Sequence, residues 1–141
     1  MENEKCFNFA MRKSGRLINQ FYEERLSKVN LKSGQFSILR AVNFRKETTN
    51  KQLQKILILD QSTLSRNLKP LIRDGFLNVT PDPNDQRSKI ISLTTEGKSL
   101  YEKALPLWHD AQKALIKKMG KDETAKILSL SETFQEEFIS D

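Results

Sequence analysis

Leu64, Leu68, Leu71 and Ile72 stand at i, i+4, i+7 and i+8, the cleanest helical stripe in the chain. The helix they define begins at Asp60, a side chain suited to capping an N-terminus, and stops at Gly75. Upstream, Phe7, Met11, Ile18, Phe21 and Leu26 recur near the same period, widened by Leu17 and Tyr22. They predict a first helix from about Lys5 to Ser27. Ser14 and Gly15 put small residues in its middle, where a second helix can cross closely. Phe36, Leu39 and Val42 predict a second helix over Lys32 to Asn43 with Ser33 as its N-cap; Leu53, Ile56 and Leu57 predict a short third over Thr49 to Leu57. After Gly75 the pattern changes. Phe76 to Thr80 and Lys89 to Leu93 are β-rich, and Pro81, Pro83, Asn84 and Asp85 between them are turn formers, so a hairpin with a longish tip is expected. Thr94, Thr95 and Glu96 open a long helix to about Met119, which Pro106 should kink or split. Gly120 ends it, and Asp122 should cap a last helix carrying Ile127, Leu130, Phe134 and Phe138.

The order is thus four helices, a hairpin and two helices: mainly α with a small β wing, an α+β arrangement. A short helix, a tight turn, a second helix and a β-ribbon make a winged helix-turn-helix. With 141 residues this is one domain, 1–141, in which 32–97 form the winged lobe and 1–31 and 98–141 are helical extensions.

Charge sharpens the picture. Residues 1–47 carry ten basic and five acidic side chains, residues 48–98 eight and five, and residues 99–141 six and eight. The net charge of +6 favours a polyanionic partner, nucleic acid before membrane. The acidic C-terminal third is better suited to packing or assembly. One cysteine, Cys6, excludes an intrachain disulfide framework and fits a reducing cytoplasm. The aliphatic run Ile56 to Leu59 is too short for a bilayer, and no targeting segment is expected. An enzyme is not expected either: there is one histidine, His109, no glycine-rich phosphate loop, and no metal or cofactor spacing.

The stripe of the fourth helix decides which side chains face out. Those are Ser62, Ser65, Arg66, Lys69 and Arg73, flanked by Thr63 and Asn67, with no acid from Gln61 to Arg73. Short hydrogen-bonding groups near the start of a recognition helix suit base edges, and the basic residues suit guanine or phosphate. The helix N-terminus adds a second attraction for phosphate. Pro70 removes the amide that would bond the Arg66 carbonyl, so a bend is expected there. The wing tip carries Asn84, Asp85, Arg87 and Lys89. Asp85 can orient Arg87 through a carboxylate–guanidinium contact, and an arginine on a narrow ribbon fits a minor groove.

The run Asp82-Pro83-Asn84-Asp85-Gln86-Arg87-Ser88-Lys89-Ile90-Ile91-Ser92-Leu93-Thr94-Thr95-Glu96-Gly97 resembles the wing signature of the MarR family of bacterial transcription regulators. Leu31 to Leu39, and Thr63 to Leu68 through Asp74 to Leu77, resemble that family's second and recognition helices. The resemblance implies a homodimer, with the first and last two helices intertwined with a second subunit, so that 1–31 and 98–141 become the dimerisation region. It implies a double-stranded, pseudo-palindromic operator, with Arg87 in the minor groove, positioned by Asp85, and the start of the fourth helix in the major groove. It further implies a repressor that releases DNA when a small aromatic or phenolic effector binds between the dimer region and the DNA lobes. Phe21, Tyr22, Phe36 and Trp108 are the candidate effector residues. The family's hydroperoxide-sensing branch uses a cysteine on the first helix held by tyrosines. Aligned on Tyr22, Cys6 stands about two residues too early, a rotation of roughly 200°, and Arg12 and Ser33 replace two of the tyrosines. Redox sensing by Cys6 is one alternative; a winged helix that binds an acidic protein is the other.

Overall fold

The apolar stripes meet in one core, in a computed structural model that describes residues 5–139. Among these residues six α-helices and three strands, with one 3-10 turn at Ser27–Val29, follow in the order α1 (Phe7–Leu26), α2 (Ser33–Arg45), β1 (Glu47–Thr49), α3 (Asn50–Leu57), α4 (Gln61–Arg73), β2 (Leu77–Asp82), β3 (Asp85–Leu93), α5 (Thr95–Met119) and α6 (Lys121–Phe138). Leu64, Leu68 and Leu71 of α4 are buried against Phe36, Leu39 and Val42 of α2, Leu53 of α3, Leu77 and Ile91 of the sheet, and Tyr101 and Ala104 of α5. The stripes of α3 and α4 are narrower than the spacing implies: Ile56 and Ile72 are only partly covered, 46% and 40% exposed.

The expected hairpin is part of a three-stranded antiparallel sheet in the order β1-β3-β2, with Thr48 opposite Ile91 and Val79 opposite Ile91 on the other side. β1 is Glu-Thr-Thr, with no alternation of its own; its pairing with β3 makes it a strand. The tip is also tighter than expected. The strands continue to Asp82 and Asp85, leaving Pro83 and Asn84 as the turn. The register passes from Pro81 opposite Lys89 to Asp82 opposite Asp85, so Gln86, Arg87 and Ser88 bulge out of β3 without β2 partners.

Local chemistry sets most boundaries. Thr49 caps α3 by accepting the Gln52 N–H at 3.2 Å, while Gln52 accepts the Thr49 N–H at 3.1 Å. Asp60 caps α4 through the Thr63 N–H at 2.7 Å. α4 ends in a Schellman motif: Phe76 N–H to Leu71 O at 2.9 Å and Gly75 N–H to Ile72 O at 3.1 Å, with Gly75 at φ +80°. Two caps differ from expectation. Lys32 and Gly120, not Ser33 and Asp122, precede α2 and α6. Ser33 is instead the first residue of α2, where its N–H and hydroxyl donate to Glu23. Pro70 and Pro106 both lie inside unbroken helices. In α5 the buried Tyr101, Ala104 and Ala111 hold the helix on both sides of Pro106, so packing offsets one missing bond.

Ile58, in the turn from α3 to α4, is a β-branched residue at φ 52° and is mostly exposed. That left-handed conformation crowds its Cβ, at roughly 1–2 kcal/mol per residue. Ile58→Asn should therefore raise the urea midpoint, by about 0.5–1 kcal/mol of stability; an unchanged or lower midpoint would show that the side chain earns its place by packing.

α1 and α6 are less covered than the lobe they flank. Phe7 is 90% exposed, Leu17 66%, Leu128 67% and Phe138 77%. Among the described residues, no other element comes within 4 Å of a Cβ built on Gly15, so no second helix crosses α1 closely there. No helix among the described residues is long and apolar enough to cross a membrane.

Candidate nucleic-acid interface

α4 exposes Ser62, Ser65, Arg66, Lys69 and Arg73, with Thr63 and Asn67 half-buried at the flanks, because Leu64, Leu68 and Leu71 fix the opposite face in the core. Arg66 Nη2 donates to Thr63 Oγ1 at 3.3 Å, and Arg73 Nε donates to Asp74 Oδ1 at 3.2 Å. The N-terminus of α4 is not a free anion site. Asp60 already places a carboxylate there and accepts the Thr63 amide, so phosphate would have to approach the outward side chains rather than the helix end.

The wing brings Arg87 and Lys89 to the same place. One concavity of about 280 Å³ is bordered by Ser65 and Lys69 of α4, Arg87 and Lys89 of β3, and Asn50 and Gln54 of α3. Its floor is apolar, formed partly by Leu68 and Ile91. Two stretches eighteen residues apart at their nearest, Lys69 and Arg87, thus border a single basic surface. Asn84 sits at the turn itself, exposed, with its N–H on Asp82 Oδ1 at 2.9 Å.

Asp85 does hold Arg87, but by the backbone. Its Oδ1 accepts the Arg87 N–H at 2.9 Å, and its Oδ2 lies 3.5 Å from Lys51 Nζ. The expected contact with the guanidinium is replaced by these two, and the Arg87 side chain stays exposed. The reason is reach: two residues apart on a bulge, a short aspartate meets the amide before the end of a long arginine. The α3 residues Asn50, Lys51 and Gln54 carry no sequence signal for this role, since they gain it only when the wing folds over them.

Asp60 and Asp85 both have carboxyls below their ordinary value of 3.8, Asp60 through the Thr63 N–H first and Asp85 through the Arg87 N–H first, then Lys51. A carboxyl depressed in the fold takes up its proton more readily in the unfolded chain. Its stabilisation is therefore full above the ordinary value and is lost as pH falls through the lower folded one. Asp60→Asn keeps a capping oxygen without the titration. It should flatten the fall of the urea midpoint below about pH 4, and an acid limb as steep as the wild type's would exclude Asp60 as a source of it.

The four candidate effector residues separate. Tyr22 lines a cavity of about 430 Å³ between α1, α5 and α6, with Ile18, Gln112, Leu115, Ile127 and Leu128. Its hydroxyl donates to Gln112 Oε1, and burial pushes its phenol above the ordinary range. Phe21 lines a different cleft with Leu17, Leu115 and Met119. Phe36 is only 3% exposed and stacks between Tyr101 and Trp108, at 5.7 and 6.1 Å between ring centres. Arg40 covers the Trp108 ring at 4.5 Å. Phe36 and Trp108 thus belong to the core stack and line neither cavity. Cys6 is the exposed N-cap of α1, its Sγ accepting the Phe9 N–H at 3.4 Å. No group of three or more His, Cys, Asp or Glu among the described residues could hold a metal ion.

Residues 31–89 match the MarR family. The multiple antibiotic resistance protein MarR of Escherichia coli is 31% identical over 87% of this chain and 83% of its own length. A mutant MarR from E. coli, crystallised with operator DNA, superposes with a TM-score of 0.78 at 27% identity, covering 88% of this chain and 89% of that one. The transcriptional regulator MOSR of M. tuberculosis, solved with DNA, superposes with a TM-score of 0.81 at 28% identity over 96% of this chain and 100% of its own.

Proposed function

This chain belongs to the MarR family of DNA-binding transcription regulators, which are not enzymes, and from that premise we propose that it is a homodimeric repressor of a pseudo-palindromic operator. The observation that carries the reading is the shared basic concavity, where Lys69 and Ser65 of α4 meet Arg87 and Lys89 of the wing. In this reading Ser62, Thr63, Ser65, Arg66 and Asn67 read the major groove, and Lys69 and Arg73 neutralise phosphate. Arg87 enters the minor groove from the bulge, with Asn84 and Lys89 beside it and Asp85 holding its amide. Residues 32–97 form the DNA lobe. Residues 1–31 and 98–141 pair with a second subunit, which would cover the exposed Phe7, Leu17, Leu128 and Phe138. Such a regulator acts in the bacterial cytoplasm.

The cavity beside Tyr22 supports a small effector with an apolar body and a group that bonds Tyr22 or Gln112. To release DNA, that ligand must prefer the spacing of the lobes that does not bind; equal affinity for both would shift nothing.

The test is selection of duplexes from a random pool by the purified full chain. A selected site should contain two half-sites about one turn, ~34–36 Å, apart. It should bind on the order of 10³-fold or more tighter than random duplex at the same salt, with affinity falling steeply as salt rises. Equal binding to selected and random duplex, or a monomer in sedimentation at micromolar concentration, would remove the repressor model.

A further inference from the structure

The first turn of α3 is tied to the wing at two points. β1 pairs with β3 through Glu47 opposite Ser92, Thr48 opposite Ile91 and Thr49 opposite Ile90. The next rung would set residue 50 against Lys89, but there the chain has already turned into α3. The side chain of Asn50 takes over: its Oδ1 accepts the Lys89 N–H at 3.1 Å, where a strand would have offered a backbone carbonyl. One residue on, Lys51 Nζ lies 3.5 Å from Asp85 Oδ2.

These ties bracket the bulge. Asp85 precedes Gln86, Arg87 and Ser88, and Lys89 follows them. With both flanks anchored on one helical turn, the bulge has little freedom to slide along the sheet. α3 in turn packs on α4, and Leu53 and Leu64 are both buried in the core they share. The position of Arg87 is thereby referred to the recognition helix through α3, not only through the hairpin's own hydrogen bonds. Of the two ties, the exposed ion pair is the weaker, since pairs of that kind contribute little.

We propose that Asn50 is a positioning residue for DNA recognition, extending the β1–β3 ladder by one side-chain rung so that Arg87 stands at the spacing from α4 that the operator requires. This rests on the reading of Arg87 as a DNA contact. It differs from a direct contact by Asn50, because the effect passes through Arg87.

The experiment is a double-mutant cycle on the full-length protein, with the duplex it selects from a random pool. Asn50→Ala should weaken binding roughly 5- to 25-fold, one lost hydrogen bond in each of two wings. In an Arg87→Ala background it should add no more than about 2-fold. Amide exchange in the free protein gives the independent readout: Lys89 N–H should lose protection in Asn50→Ala while Ile91 N–H keeps it. Unchanged Lys89 protection would overturn the inference. So would equal losses in both backgrounds with Arg87→Ala itself still harmful, which would leave the wing-tip reading intact. An Arg87→Ala protein that binds like wild type would overturn both.

Discussion

Gly97→Ala should destabilise the protein by about 3 kcal/mol, at the upper end of the range for overpacking a tight site. A Cβ at residue 97 would stand 1.9 Å from the Phe76 carbonyl oxygen and 2.9 Å from its carbon. Both are backbone atoms, so no rotamer change can open the space. The surroundings are equally constrained. Thr94 Oγ1 donates to the Gly75 carbonyl at 2.6 Å and accepts the Gly97 N–H at 2.9 Å, while the Thr94 N–H donates to Phe76 O at 3.2 Å. The end of α4, the exit of β3 and the start of α5 are joined in one knot of backbone. A methyl group there must either part that joint or push α5 away from the wing. The check is urea unfolding: the midpoint should fall with the slope unchanged, since the surface exposed on unfolding is the same. An alanine variant as stable as the parent would mean the chains are not this close.

That joint also shows what the sequence could and could not convey. Leu93, Thr94 and Gly97 stand out as part of a signature, yet the reason for the glycine is a carbonyl twenty-one residues earlier in the chain. Features settled by neighbours are legible: the α4 stripe, the Asp60 cap, the Gly75 stop and the outward set Ser62, Ser65, Arg66, Lys69. Features settled by distant pairing are not. Glu47, Thr48 and Thr49 have no strand pattern until β3 lies beside them. Asn50 and Lys51 look like the ordinary start of a helix until the wing folds down. Aromatic residues are sorted by the same long-range packing. Phe36 and Trp108 are as suitable for a pocket as Tyr22, but only the packing of α2 on α5 puts them in the core and leaves Tyr22 on the cavity. The apolar faces of α1 and α6 are legible as stripes, yet Phe7, Leu17, Leu128 and Phe138 stay exposed on them.

Arg87→Ala should cost the proposed dimer roughly 10²-fold in affinity for its selected duplex while leaving stability unchanged. The guanidinium is exposed and the fold uses Arg87 through its backbone amide, which the substitution retains. Loss of an arginine in a groove is worth about 1–3 kcal/mol, and the dimer loses one from each wing. If each guanidinium also neutralises a phosphate, the salt slope should fall by about 2 for the dimer. Arg87→Lys separates the two contributions. A lysine keeps the charge but not the planar fork, so it should restore most of the salt slope and little of the specificity. The comparison with α4 makes the assignment sharper. Lys69→Ala should lower affinity for selected and random duplex alike, because a phosphate contact carries no sequence. Arg87→Ala should lower the selected one more, since a narrow minor groove is itself a property of sequence. Equal losses on both duplexes would leave Arg87 as one more phosphate contact, and specificity would then have to come from Ser62 to Asn67 alone.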